Sequence, residues 1–359
     1  MSASQNHILI TVPNLSQPGG VASLYNILGL DGKDGVSYFD VHNGAKRSGI
    51  MRYLQLANCF RDFYRQTGKA TVVHINPSLD KKSFIRDGIF TGLAARCKRK
   101  KVLVYWHGWK EPFEKELQSS RWMRSFFMHT FGKADRHVVL GRIFEQKLSA
   151  LGIDKKKIKI GRNAADDSGV AVSYRKQFIS TPFRVLYLSR IEKDKGIYIA
   201  IEAVKMLREK CDVHLLIAGS GSEEQSARAL VAEQSLDYIH FAGYVTGADK
   251  HKLLETADLL LLPSLSEGLP ISILEGMLYG LPIVSSPVGG IPDWIKDGEN
   301  GVLVNDWNAS EYSVAIGSLL NDLQICSQMS ERNRQKALES FTPHAVREWL
   351  FQNYRELNS

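Results

Sequence analysis

The sequence predicts an α/β protein built from two doubly wound parallel-sheet units. Three observations predict it: a chain of 359 residues, short apolar runs that lack polar alternation, and longer helical patterns between those runs. At about 150 residues per domain the length favours two domains, each able to bury a core of its own. Hydrophobic residues make up 44% and charged residues 23%, which sets aside a coiled coil, a collagen-like chain and a low-complexity chain.

The runs in the first half are HILITV, ATVVHI, KVLVYW and HVVL, and those in the second are FRVLYLS, VHLLIAG, IHFAG, DLLLLPS and LPIVSS. Unbroken Val/Ile/Leu runs fit strands buried on both faces, as a parallel sheet between helical layers requires. Between them, Gly196 to Lys210 places Ile197, Ile201, Val204 and Leu207 at helical spacing. The polar stretch 164–182 ends in Pro182 just before a new strand and reads as a linker. This sets an N-terminal domain at 1–165 and a C-terminal domain at 166–342. From Pro343 to Leu357, Val346, Trp349, Leu350 and Tyr354 share one helical face, which needs an apolar partner.

The net charge is +8. Residues 1–180 hold 30 basic against 14 acidic side chains, or +16, which leaves −8 for the rest. Such asymmetry points one half at an anionic partner: a membrane surface, nucleic acid or an acidic ligand. Cys59, Cys97, Cys211 and Cys326 have no CxxC or His pairing, so neither a zinc site nor a disulfide framework is expected, and a reducing compartment is the default. The opening MSASQNHILITVP lacks a basic segment followed by an apolar one, unlike a signal peptide. No apolar run approaches the roughly 18 residues of a membrane span.

The chemistry concentrates in Pro263 to Gly280, PSLSEGLPISILEGMLYG. A buried strand ends there, a turn follows, and a helix begins near Pro270, since proline suits the first helical turn. The segment Gly268, Leu269, Pro270 and Ile271, with its free backbone N–H groups on the residues other than the proline, would then form a site for a phosphate-sized anion. Glu267 stands in the turn and Glu275 about one and a half helical turns further, roughly 7 to 8 Å along the axis. Carboxylates accept from vicinal hydroxyls through two oxygens, so one can hold a ribose, the other a sugar, and the amides between them the phosphates. The alternative is that Glu267 caps the helix and Glu275 is solvated.

Glu267-GLPISIL-Glu275 resembles the signature of the retaining nucleotide-sugar glycosyltransferases of family 4, the group 1 glycosyl transferases with a GT-B fold. The similarity extends over roughly residues 183 to 340 and includes Gly289-Gly-Ile-Pro-Asp293 and Asp297-Gly-Glu-Asn-Gly301. The resemblance implies two Rossmann-like domains facing across a cleft, with the last helix, 343–359, crossing back to the first. It also implies that Glu275 holds the ribose hydroxyls and Glu267 the donor sugar.

Four further elements take a role from the same resemblance. In Ser189-Arg190-Ile-Glu-Lys-Asp-Lys195-Gly196, Arg190 and Lys195 match the pair that binds the donor diphosphate. Taken alone, the segment is a charged loop at the carboxyl end of a strand, where open α/β sheets bind ligands. Pro18-Gly19-Gly20 follows the first strand, where the family has a glycine-rich loop bordering the phosphates; without side chains, Gly19 and Gly20 would let backbone approach a diphosphate, or form a plain turn. His107, in Tyr105-Trp-His-Gly-Trp109, matches a histidine near the donor sugar or the reacting centre, or is a buried structural histidine. Gly221, in Gly219-Ser-Gly221, and Tyr244 and Val245 after IHFAG complete the pocket, the last two against the nucleobase, or are turns. Departures exist: the usual Asn-Gly is Asn163-Ala164 here, and the first 165 residues match only at the glycine loop and His107.

Arg96 to Lys101, RCKRKK, and Lys155 to Arg162, KKKIKIGR, are basic, and Arg121-Trp-Met-Arg-Ser-Phe-Phe-Met128 mixes arginine with large apolar side chains. Such a stretch can lie in a bilayer interface, or Trp122, Phe126 and Phe127 can pack in the core. No recognition-helix or RNP pattern accompanies the charge, so nucleic acid is not expected.

The resulting expectation is a retaining hexosyltransferase, metal-independent and without a cofactor beyond its donor, a UDP-sugar before a GDP-sugar. His107, Glu267, Arg190 and Lys195 form its catalytic set. The acceptor is a glycan or lipid-linked glycan of bacterial envelope synthesis, such as polysaccharide or lipopolysaccharide. The location is the cytoplasm, peripheral at the inner face of the membrane. A nucleotide-sugar epimerase of similar fold, a non-catalytic sugar-nucleotide-binding module and a nucleic-acid binder are the rival readings.

Overall fold

The structure is a computed structural model. It describes residues 7–17, 19–41, 50–171, 173–178 and 181–359, with 50, 52 and 53 described by their backbone alone. Pro18, the first six residues of the opening segment, and residues 172, 179 and 180 of the polar stretch lie outside the described residues.

The chain divides into two units, residues 1–162 with 346–359, and residues 163–345. The first is built on the parallel sheet β2-β1-β3-β5-β7-β8. Its strands are β1 (Ile8–Val12), β2 (Val36–Asp40), β3 (Val72–Ile75), β5 (Lys101–Tyr105), β7 (Arg136–Val139) and β8 (Ile158–Ile160). Two short strands, β4 (Ser78–Leu79) and β6 (Gly108–Trp109), pair in parallel beside it. The central strands are buried along their length, which is why their sequences read as apolar runs.

The second unit carries β11-β10-β9-β12-β13-β14, also parallel. Its strands are β9 (Phe183–Leu188), β10 (Val213–Ala218), β11 (Ile239–Gly243), β12 (Leu259–Leu262), β13 (Ile283–Ser285) and β14 (Gly301–Leu303). Counted within the unit, this is the order 3-2-1-4-5-6, the doubly wound order whose direction reverses between its first and fourth strands. Helix Ile197–Arg208 buries Ile197, Ile201, Val204 and Leu207 against the sheet, as their spacing predicts.

Apart from the two-residue β4 and β6, three strands, β2, β8 and β14, have no counterpart among the predicted runs. Each is a sheet edge, half-exposed, so each lacks an unbroken apolar run. The finding alters the reading of the second basic cluster. Ile158–Ile160 is a strand, Lys159 pairs with Glu356 at 2.6 Å, and Lys157 donates to the Ala134 carbonyl at 3.1 Å. In the first cluster, Lys98 lies over the Tyr64 ring and Lys100 donates to the Gly68 carbonyl. Part of the positive charge is therefore used within the unit.

The polar stretch 164–182 is not a free tether where it is described. Ala164 and Ala165 are fully buried, Ala165 N–H donates to the Phe341 carbonyl, and Lys176 faces Asp258 at 3.4 Å. The final helix, Pro343–Asn358, finds its apolar partner in the first unit, to which residues 346–359 belong. Trp349 packs near Tyr105, and the Tyr354 hydroxyl meets His74 Nδ1 at 2.6 Å.

Candidate functional site

In the second unit the winding reverses between β9 and β12, and ligands of open α/β sheets bind outside the carboxyl ends of the strands at such a point. Two loops leave it. The first, Ser189 to Gly196, follows β9, and the second, Pro263 to Pro270, follows β12. They are tied together: Leu265 N–H donates to the Asp194 carbonyl at 2.8 Å, and Gly196 lies so close to Pro263 that a Cβ there would overlap its carbonyl.

This docking brings Lys195 onto Glu267. Lys195 Nζ donates to Glu267 Oε1 at 2.8 Å and to the Ser266 carbonyl at 2.7 Å. Lys195 is buried, so its ammonium is fixed by packing as well as by charge. Arg190, five residues earlier, is placed otherwise. Its side chain is 65% exposed and pairs with Glu192 Oε1 at 2.6 Å.

The helix after β12 runs from Ile271 to Leu278 with Pro270 as its cap. The N–H groups of its first turn lack intrahelical partners and form the positive end of the helix dipole. The turn before it is fastened from two sides. Asn163 Nδ2 donates to the Leu269 carbonyl at 2.7 Å, and Gly290 N–H donates to the Gly268 carbonyl at 2.6 Å. At Gly289 φ is +59°, and a Cβ would overlap the Glu267 carbonyl oxygen. That contact explains the first glycine of Gly289-Gly-Ile-Pro-Asp293. The Ala164 methyl, where the resemblance leads one to expect glycine, is accommodated in the core.

Glu275 is not solvated. Its side chain is only 5% exposed and pairs with Lys250 Nζ at 2.5 Å. Burial pushes its carboxyl up, and the Lys250 ammonium opposes the shift. Beside this pair His251 contacts the Tyr279 hydroxyl at 2.8 Å and faces Asp166 at 3.4 Å. Gly221 packs against the backbone of Ile191, in the loop that carries Arg190 and Lys195. After β11, Tyr244 is 65% exposed and Val245 half-buried.

In the first unit Gly19 caps helix Gly20–Leu28. Among the described residues, a Cβ at Gly19 or Gly20 would meet nothing within 4 Å. His107 follows β5, stacks on Tyr105 with ring centroids 4.5 Å apart, and places Nε2 2.7 Å from Asn76 Oδ1. Burial pushes its imidazole down to about 3, so the ring is neutral near pH 7.

Lys250, Glu192 and Asn76 join these residues although the sequence does not single them out. Lys250 lies 25 positions from Glu275 in an unremarkable helix, Gly247–Thr256, and Asn76 precedes a proline where a turn residue is expected. Only Glu192, within the Arg190 loop, had a local signal. Among the described residues no three His, Cys, Asp or Glu side chains are grouped to hold a metal ion. No helix among them is long and apolar enough to cross a membrane. Trp122 is 63% exposed and stacks on the half-buried Phe126, whereas Phe127 is buried, so the aromatic segment divides between surface and core.

Residues 173–336 match the family model described as glycosyl transferases group 1. The match covers the two loops, both glutamates and the Gly289–Asp293 turn. WcaL of Escherichia coli K12, which carries the name of a colanic acid biosynthesis glycosyltransferase, is 27% identical over 61% of this chain and 56% of its own length. The amylovoran biosynthesis glycosyltransferase AmsK of Erwinia amylovora is 30% identical over 52% of this chain and 47% of its own. The chain thus spans about half the length of these curated relatives. Among solved structures, Anabaena Alr3699/HepE in complex with UDP superposes with a TM-score of 0.76 at 18% identity, over 98% of this chain and all of that one. This likeness shows the fold, that of GT-B glycosyltransferases. The family match lies within the second unit and covers just under half of the chain.

Proposed function

We propose that the protein is a retaining glycosyltransferase that moves a sugar from a nucleotide-diphosphate sugar to a hydroxyl of a glycan or lipid-linked glycan in bacterial envelope synthesis. The observation that carries this reading is the pairing of Lys195 with Glu267 at the β9/β12 reversal, next to the first turn of helix Ile271–Leu278. A fixed cation and a set of free amides suit a leaving diphosphate, and a carboxylate beside them suits sugar hydroxyls. Glu275 takes the ribose, and Tyr244 and Val245 the base. UDP is the first choice of nucleotide, because Alr3699/HepE is described with UDP and with UDP-glucose. The names of WcaL and AmsK support a polysaccharide product and do not favour the epimerase reading.

In this reading the acceptor hydroxyl attacks the anomeric carbon from the face the diphosphate leaves, and the departing phosphate oxygen takes the hydroxyl proton. Lys195, Arg190 and the helix amides stabilise the charge that grows on the diphosphate. Arg190 first exchanges Glu192 for phosphate. The reaction is assigned to the cytoplasm, with the exposed Trp122 and its neighbours Arg121 and Arg124 resting on an anionic membrane surface.

A screen of nucleotide sugars for thermal stabilisation tests the donor assignment, because a ligand of the native state raises the melting temperature. Stabilisation by a UDP-sugar, followed by sugar transfer to an added glycan with the anomeric configuration kept, is the expected result. Release of an altered sugar from donor alone would establish the epimerase instead, and stabilisation without any product the binding module.

A further inference from the structure

The first unit also has a reversal of winding, between β1 and β3, and Asn76 stands at the carboxyl end of β3 beside it. Asn76 bridges the two strands: its backbone N–H donates to Thr11 Oγ1 at 3.0 Å, and its Nδ2 donates to the Thr11 carbonyl at 2.7 Å. The second contact fixes the amide, because only its nitrogen end can donate to a carbonyl. Oδ1 therefore faces the Tyr25 hydroxyl at 2.9 Å and His107 Nε2 at 2.7 Å.

A carbonyl oxygen only accepts, so His107 Nε2 must carry the ring proton. A neutral imidazole carries one, which leaves Nδ1 bare, and no described residue donates to it. The same logic runs backwards into the core. Tyr25 spends its proton on Asn76, so its oxygen accepts from His74 Nε2 at 3.3 Å. His74 Nδ1 then accepts from the Tyr354 hydroxyl at 2.6 Å. Every proton in the series Tyr354, His74, Tyr25, Asn76 and His107 is thereby assigned. The Tyr105 ring beneath His107 is pinned in turn, its hydroxyl bonded to the backbone of Arg162 at 2.6 and 2.7 Å.

We propose that Asn76 is a positioning residue that holds His107 as its Nε2–H tautomer and thereby presents Nδ1 as an acceptor for a hydroxyl of the sugar substrate. The substrate part of this inference rests on the glycosyltransferase reading; the tautomer part does not. A histidine set this way cannot deliver a proton through Nδ1. It orients the sugar by receiving one hydrogen bond, which selects a hydroxyl over a hydrogen or an ether at that position.

Long-range proton–nitrogen NMR of the full chain labelled with nitrogen-15 histidine tests the assignment, with His107→Gln identifying the His107 signals. The expected spectrum shows a protonated Nε2 and a bare Nδ1 for His107 between pH 6 and 8. A protonated Nδ1 in the unmodified protein overturns the proposal. Asn76→Ala should mix the two tautomers and lower kcat for sugar transfer about tenfold, the effect of one hydrogen bond, while UDP affinity stays within about twofold. Asn76→Asp keeps an acceptor opposite Nε2 and should keep the tautomer, which decides the matter should the alanine variant not fold. An unchanged tautomer and rate in Asn76→Ala would also overturn it. If the tautomer is as stated but no nucleotide sugar is turned over by the unmodified protein, the glycosyltransferase reading fails and the role of Asn76 toward His107 stands.

Discussion

Lys250 Nζ lies 2.5 Å from Glu275 Oε1, and both side chains are largely out of solvent. Removing one member of a buried ion pair leaves the other uncompensated, at a cost of about 3 to 5 kcal/mol. In Lys250→Met, Glu275 avoids that cost by staying protonated, since burial already pushes its carboxyl up. Its folded pKa then stands further above the unfolded value. The stability loss should be small below the ordinary carboxylate range and grow as pH rises through the raised value. Urea unfolding at pH 5 and pH 8 checks this, and an equal loss at both would contradict the pairing.

Lys195 and Arg190 should differ in kinetic weight. Lys195 is buried and already aimed at Glu267, whereas Arg190 must leave Glu192 and order an exposed side chain. Lys195→Ala is expected to lower kcat about 100-fold, the typical effect of losing one preorganised group at developing charge. Arg190→Ala should lower it less. Glu275→Gln should act on donor affinity, raising the Kd for UDP about tenfold by calorimetry.

Gly289 and Gly298 both have positive φ, +59° and +73°, but of the two Gly289 lies against a carbonyl, whereas among the described residues a Cβ at Gly298 would meet nothing within 4 Å. Gly298→Ala should cost roughly 1 kcal/mol, the left-handed backbone penalty alone. Gly289→Ala should cost at least about 1 kcal/mol more and loosen the turn that carries Glu267. Denaturant unfolding and UDP binding of the two variants make the comparison.

His74, His107 and His137 are each pushed down to about 3, first of all by burial. The unfolded chain protonates these groups near 6.5, so between 6.5 and 3 it binds more protons than the folded one. Folding stability is therefore full above about pH 6.5 and falls on acidification, by up to roughly 1.4 kcal/mol per pH unit for each histidine. In His137→Phe the slope of stability against pH over this window should be shallower.

Among the described aromatic rings Trp122 packs on Phe126 alone, and its side chain is otherwise exposed. Trp122→Ser should change stability by less than about 0.5 kcal/mol and reduce sedimentation with phosphatidylglycerol vesicles. Unchanged sedimentation would remove this segment from the membrane assignment.

The sequence announced the central strands and the edge β11 but concealed the other three edges, β2, β8 and β14, which lack an unbroken apolar run. β12, LLLL, is buried on both faces and reads as nothing else, whereas β8 is two isoleucines among lysines because its outer side meets water. The site divides along similar lines. Glu267, Glu275, Gly289 and Lys195 stand in local patterns that carry a resemblance. Lys250 and Asn76 do not, because each acts through a partner 25 or more residues distant. Tyr354 was legible as an apolar helix residue, and its hydroxyl bond to His74 was not, since spacing along a helix says nothing of the polar tip.

The first unit closes on residues 346–359, so its core cannot be completed on the ribosome until that segment has been made. The second unit, continuous from 163 to 345, has all its parts earlier, which inverts the usual order in which nascent domains mature. Loss of residues 346–359 would consequently injure the first unit: it would strip Tyr354 from His74 while sparing the glutamate pair.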